Sequence, residues 1–222
     1  MLEQELLQSK QEGAKKASER SRENLHNKLE SQGLKLPLYP TPSIIRRART
    51  LMGSIDFDPT SDPVQQVLVE AASVPSIEHN PLQITWKGNV FVAPKGAVRN
   101  ARLWFNKTIE QYRNDKIKSF IFFTSASEIL RAEPTIWDYP LCIPFKRVKQ
   151  LRATAKGFES VSPSTWNVIV YGPPIDQVIS DIDKTTLFYN TFRDIGRVIF
   201  NEYAGDNWQE DLAYYEEHKD EL

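Results

Sequence analysis

Apolar positions along this chain switch repeatedly between a helical and a strand period. From 43 to 52 they fall at Ile44, Ile45, Ala48 and Leu51, one face of a helix that Ser43 caps and Gly53 ends, with Arg46, Arg47 and Arg49 on the other side. At 55–58 the period shortens to two. Ile55 and Phe57 alternate with Asp56 and Asp58, a short strand that Pro59 stops, and Thr60, Ser61 and Asp62 cap a turn or the helix that follows. Residues 63–73 predict that helix, with Pro63 in its first turn. A turn-rich stretch runs from Val74 to Pro81, and Trp86 to Gly96 reads as a strand ending in a Pro/Gly loop. Residues 99–113 form an amphipathic helix on Leu103, Trp104, Ile109 and Tyr112, and Ser119 to Ser125 is a strongly apolar strand. A short helix starts over Ser127 to Arg131, strands follow at 141–151 and from Trp166 to Tyr171, and a last amphipathic helix covers about Thr185 to Ile199. Strands alternating with helices predict an α/β fold, a mostly parallel sheet with helices on both faces.

The two ends depart from this pattern. Residues 1–33 are polar and helical in character, with few apolar positions and Gly13 among them. A solvated arm, an oligomerisation helix and a basic arm for nucleic acid all fit that pattern. Leu36 to Pro42 is a stiff extended linker, so 1–37 is expected to be an arm and linker, 38–200 the main domain and 201–222 an acidic tail.

The net charge is only −1, yet the stretch between Ala14 and Pro37 is basic and the tail acidic, which suits protein contacts as well as a solvated surface. The tail closes on Lys219-Asp220-Glu221-Leu222, the spelling of a retention signal of the endoplasmic reticulum. With no entry signal in front of it, the match is taken as coincidence and a cytoplasmic protein is expected. Hydrophobic residues make up 40% of 222, enough for a packed core, and no apolar run is long enough for a membrane span. A single cysteine, Cys142, excludes an internal disulfide. With only three scattered histidines, no metal site is expected. Cys142 itself reads as a buried strand residue rather than a nucleophile, with no histidine close to it in sequence.

Two sets of residues carry candidate chemistry. Acidic residues at the carboxyl end of a strand, followed by a small-residue turn, suit a ligand in the crevice outside the strand ends; an ordinary capped turn has the same spelling. Two basic clusters could face a polyanion: Lys95, Arg99, Arg102 and Lys107, then Lys146, Arg147, Lys149 and Arg152, with Phe145 interleaved and Trp104 nearby, either to stack on bases or as plain core. Such clusters give salt-dependent affinity for nucleic acid, and they are also ordinary solvated surface.

The run from Tyr39-Pro-Thr-Pro through Ile55-Asp-Phe-Asp-Pro-Thr-Ser61 resembles the phage-type DNA adenine methyltransferases, the Dam-like family, which show Tyr-Thr-Pro-Pro, a helix, then Ile-Asp-Leu-Asp-Pro-Ala-Ser. The likeness continues through Trp86-Lys-Gly-Asn-Val-Phe-Val, Phe122-Phe-Thr-Ser-Ala-Ser-Glu128, Cys142-Ile-Pro and Asn167-Val-Ile-Val-Tyr171, covering about residues 38–200. The resemblance implies a Rossmann-like methyltransferase domain that binds S-adenosylmethionine and acts on DNA. Asp56, Asp58, Pro59, Thr60 and Ser61 match the positions around the donor, with an acidic residue on the ribose hydroxyls. In the family an Asn-Pro-Pro loop then clamps the amine of an adenine flipped out of the duplex.

That loop reads Ala93-Pro94-Lys95-Gly96 here. Ala93 has no side-chain acceptor, Lys95 puts a cation where the family has proline and where the donor's sulfonium would be repelled, and Gly96 cannot stack on a base. Asn89 and Ser125 are the substitutes available as acceptors. The expectation is an adenine-N6 methyltransferase-like protein with weak or lost catalysis. Its alternative is a catalytically dead fold that binds DNA or a protein, with Arg99, Arg102, Lys146, Arg147 and Lys149 toward the DNA.

Overall fold

The computed structural model describes residues 36–154, 156–174 and 181–200, with isolated helical positions at 16, 20, 23 and 24. The acidic tail, the retention-signal match and most of the N-terminal arm lie outside the described residues.

The elements run β1 (Leu38–Tyr39), α1 (Pro42–Met52), α2 (Pro63–Val69), β2 (Asn89–Val92), α3 (Val98–Arg113), β3 (Ser119–Thr124) and α4 (Ile129–Ala132). A 3₁₀ turn (Pro134–Asp138) follows, then β4 (Leu141–Pro144), β5 (Gln150–Thr154), β6 (Gly157–Val161), β7 (Val168–Gly172), α5 (Asp181–Phe192) and β8 (Gly196–Ile199). They build an α/β fold with two sheets: a five-stranded mixed sheet in the order β2-β3-β7-β4-β8, and a three-stranded antiparallel sheet in the order β1-β5-β6.

The main sheet departs from the mostly parallel expectation. Only β2 and β3 pair in parallel; β7 runs against β3 and against β4, and β8 runs against β4. Since β7 opposes both its neighbours, β4 points the same way as β2 and β3. Strands buried on both faces are continuous apolar runs whichever way they point, so Val168–Tyr171 carried no signal of direction. Ile55–Asp58 is likewise less than a strand: Phe57 alone makes parallel bridges, to Ser73 and to Val90.

Alternation within the central strands divides the core. Phe120 and Phe122 face α3 with Trp86, Phe105, Ile109 and Tyr112, whereas Ile121 and Phe123 face α1 and α5 with Ile44, Leu51, Phe188 and Phe192. Helices therefore cover both faces. Edge-to-face rings lock the first side: Phe105 on Phe122 at 5.2 Å and Tyr112 on Phe120 at 5.1 Å.

Several boundaries moved. Helix α1 starts after Thr41 rather than Ser43, with Pro42 in its first turn and Gly53, at φ 84°, ending it through an N–H to the Arg49 carbonyl. Helix α2 stops at Val69, four residues short of the expected end, where Glu70 adopts φ 48°. The 141–151 strand divides between the two sheets as β4 and β5, and the expected extended linker is β1, paired to β5 as Leu38 with Arg152 and Tyr39 with Leu151. The last helix ends at Phe192, and β8 occupies its expected final turn. Gly196 allows this, since a Cβ there would lie 2.5 Å from Cys142 Sγ and 2.6 Å from the Ile143 carbonyl oxygen.

Candidate functional site: two strand-end loops and a basic cleft

Phe57, β2 and β3 run in one direction and end side by side, so the loops after them share one edge of the sheet. The first loop, Asp58 to Asp62, folds on its own side chains. Asp58 is fully buried and its carboxylate is spent. Oδ1 accepts from the Thr60 amide (3.0 Å) and hydroxyl (2.7 Å), and Oδ2 accepts from Gln65 Nε2 (2.7 Å). Burial pushes this carboxyl up to about 6, against the downward pull of those hydrogen bonds and of Lys95. Asp56 is also engaged. Ser54 Oγ donates to its Oδ1 at 2.7 Å and the Asn89 amide to its Oδ2 at 2.8 Å, fixing the entry to β2. Pro59 is buried, and Ser61 Oγ donates to the Asp62 carbonyl at 3.3 Å.

The second loop is joined to the first at three points. The Ala93 amide donates to Thr60 Oγ1 at 2.9 Å. Lys95 Nζ donates to the Thr60 carbonyl at 3.0 Å and pairs with Asp62 Oδ2 at 2.9 Å. The same ammonium lies 5.0 Å from the centre of the Tyr39 ring, whose hydroxyl donates to Asp62 Oδ2 at 3.2 Å. Asp62 in turn caps α2 by accepting from the Val64 and Gln65 amides at 2.9 and 2.8 Å. Gly96 sits at φ 96° with open space around it.

Beside these loops opens a cleft of about 1130 Å³. Pro94–Val98 and Ser125–Ala126 form one wall, and Arg147, Gln150, Arg152 and the 162–165 loop form the other. Among the described residues its lining carries one acid, Glu128, against Lys95, Arg147 and Arg152. Arg147 Nη1 donates to the Pro163 and Ser164 carbonyls at 3.0 and 3.2 Å, and the Val148 amide donates to Asn167 Oδ1 at 2.7 Å, so the 145–149 segment and the 162–167 loop form one wall. Thr165 closes the far end with a hydroxyl bond to the Ser125 carbonyl.

The basic clusters separate by environment. Arg102 pairs with Glu133 at 3.6 Å, Lys107 with Glu110 at 2.9 Å and Arg152 with Glu159 at 2.9 Å, while Arg99, Lys146 and Lys149 are exposed. Of the two substitutes for the missing loop acceptor, Asn89 is unavailable. Its Nδ2 donates to Met52 O and Ser54 Oγ, and its Oδ1 accepts from Ser119 Oγ. Ser125 does line the cleft.

Cys142 is buried, with its thiol pushed up to about 12 by desolvation, which removes it as a nucleophile. Among the described residues no cluster of His, Cys, Asp and Glu could hold a metal ion, and no helix is long and apolar enough to cross a membrane.

Three residues central to this site escaped sequence reasoning. Gln65 and Gln150 carry no motif, and Tyr39 appeared only as part of the family resemblance. The cue for Gln65 was its position in the first turn after the Asp62 cap, seven residues beyond Asp58. Comparison with family models, with curated proteins and with solved structures gives no match for this chain.

Proposed function

We propose that this chain is a Rossmann-like methyltransferase-type fold, related to the phage-type DNA adenine methyltransferases, that has lost methyl transfer and binds nucleic acid through the basic cleft. One observation carries this reading. Lys95 Nζ stretches from the loop after β2 to Thr60 and Asp62 in the loop after Phe57. In the resembled family S-adenosylmethionine sits between two such loops. A Lys95 side chain held there by Thr60 and Asp62 takes up that space and puts an ammonium, paired to Asp62, where the donor's positive sulfonium would lie. The residues present fail the chemistry at two further points: the Asp58 carboxylate, which would hold the donor, is inaccessible and already accepts three hydrogen bonds, and Ala93 has no side-chain acceptor for the amine of a target adenine. The fold supports the resemblance in its strand-end loops, which occupy the crevice where open α/β sheets hold ligands. The nucleic-acid half rests on charge: of the cleft's three cations Lys95 and Arg152 are ion-paired, while Arg147 is bonded to backbone carbonyls and is neighboured in the chain by exposed Lys146 and Lys149.

The test is calorimetric titration with S-adenosylmethionine, together with a methyl-incorporation assay on adenine-containing DNA. The parent chain is expected to show no donor binding up to about millimolar concentration, a free energy near 4 kcal/mol, and no incorporation. Lys95→Ala is expected to gain weak donor binding without gaining catalysis. Methylation of adenine by the parent chain would overturn the proposal.

A further inference from the structure

We propose that the ligand of the cleft is a single strand of nucleic acid, held by stacking on Trp166 and Phe145 and by cations along one wall. This rests on the nucleic-acid reading above and narrows it. Phe145 is 62% exposed and Trp166 45% exposed, so each offers ring surface to a ligand. Each sits next to the cleft in the chain: Phe145 two residues before Arg147, and Trp166 directly after Thr165. The segments that carry them are tied down. The Phe145 amide donates to the Ile195 carbonyl at 2.9 Å, and Arg147 and Asn167 join the two segments that carry the rings. Exposed aromatic faces on two joined segments, one of which also carries Lys146, Arg147 and Lys149, form the arrangement that binds unpaired bases, with phosphates on the cations and base faces on the rings. A duplex hides its base faces in its own stack and gains nothing from such rings.

Two further features agree. The cleft exceeds the span of pockets that hold single small ligands, about 300–1,000 Å³, which suits several nucleotides rather than one. Gln150 lines it, is only 4% exposed, and keeps a side-chain oxygen with no hydrogen-bond partner. A buried acceptor left unpaired is costly, and an exocyclic base amine is a donor of the right kind for it.

Fluorescence anisotropy with a short labelled oligonucleotide, single-stranded and then annealed to its complement, tests this. The single strand is expected to bind at least about tenfold tighter than the duplex. Trp166→Ala should weaken single-strand binding about tenfold, the effect of losing one stacked base, and leave duplex binding unchanged. Trp166→Phe, which keeps a ring, should recover most of the loss and guards against a folding artefact. Equal or tighter duplex binding, or a Trp166→Ala variant with parental single-strand affinity, overturns the inference. If the duplex binds and the single strand does not, the nucleic-acid function stands and this inference fails. If neither binds, both fail.

Discussion

Asp58 is the residue where sequence pattern and physical environment diverge most. Its spelling is that of a strand-end ligand carboxylate, yet it is fully buried and serves its own loop, linking Thr60 to Gln65 and, through Thr60, to Ala93. Burial of a charge without a full counter-charge favours the protonated form, so the carboxyl titrates near 6 in the folded chain against an ordinary 3.8. The folded state therefore holds more protons than the unfolded state between these values. Stability from this group is greatest below about pH 4, falls as pH rises toward 6 and is level above. The full shift corresponds to about 3 kcal/mol. Asp58→Asn carries no titrating proton, and Gln65, whose Oε1 has no partner, can turn its amide to meet the new donor. Urea unfolding of parent and variant from pH 4 to pH 7 is expected to show the difference moving in favour of the variant by up to that amount. A difference constant with pH would contradict the assignment.

At the scale of elements, close approach decides where strands stop and pair. Gly196 lets β8 lie against β4: any Cβ there meets Cys142 Sγ, the Ile143 carbonyl oxygen and the Pro144 Cα at 2.5–2.7 Å. Two of those three atoms are backbone and cannot swing aside. Gly196→Val is expected to destabilise the fold by roughly 2–3 kcal/mol through overpacking, read as a lower urea midpoint; an unchanged midpoint would mean that β8 is not held as described. The same glycine shows what the sequence carried and what it did not. Helix α3 and strands β2 and β3 were legible because periodicity and burial agree there: Phe120 to Phe123 alternate between two apolar layers. Strand β8 was not, because Ile195, Val198 and Ile199 continue the apolar spacing of α5, and only a contact with a distant strand makes Gly196 a break. Direction was illegible for a related reason, since β7 is apolar on both faces. In the site, the departures at Ala93 and Lys95 were visible as letters. The partners of Lys95, Thr60 and Asp62, lie more than thirty residues away, and only folding brings them together.

At the scale of the molecule, the chain is close to neutral, with a net charge of −1, so any attraction to a polyanion has to come from uneven placement of its charges. Helix α3 illustrates how cations are consumed: Arg102 is paired to Glu133, Lys107 to Glu110 and Arg113 to Asp138. The wall opposite is different. Arg147 spends its guanidinium on backbone carbonyls, which keeps its charge uncompensated, and Lys146 and Lys149 are exposed on either side of it. Backbone oxygens carry only partial charge, so this segment stays positive although it is structurally tied. A strand bound there displaces counterions, and the logarithm of its binding constant should fall linearly with the logarithm of salt concentration. Each phosphate contact on a single strand contributes about 0.7 to that slope. Replacing Lys146 and Lys149 together with alanine is therefore expected to reduce the slope by about 1.4, and to weaken binding most at low salt. Trp166→Ala should do the reverse: it lowers affinity at every salt concentration and leaves the slope as it was, since stacking releases no counterions. Anisotropy titrations between about 50 and 200 mM salt, the range over which such slopes are resolved, separate the two contributions. If the double lysine variant keeps the parental slope, the phosphates lie elsewhere on the protein and the cleft wall is not the binding face.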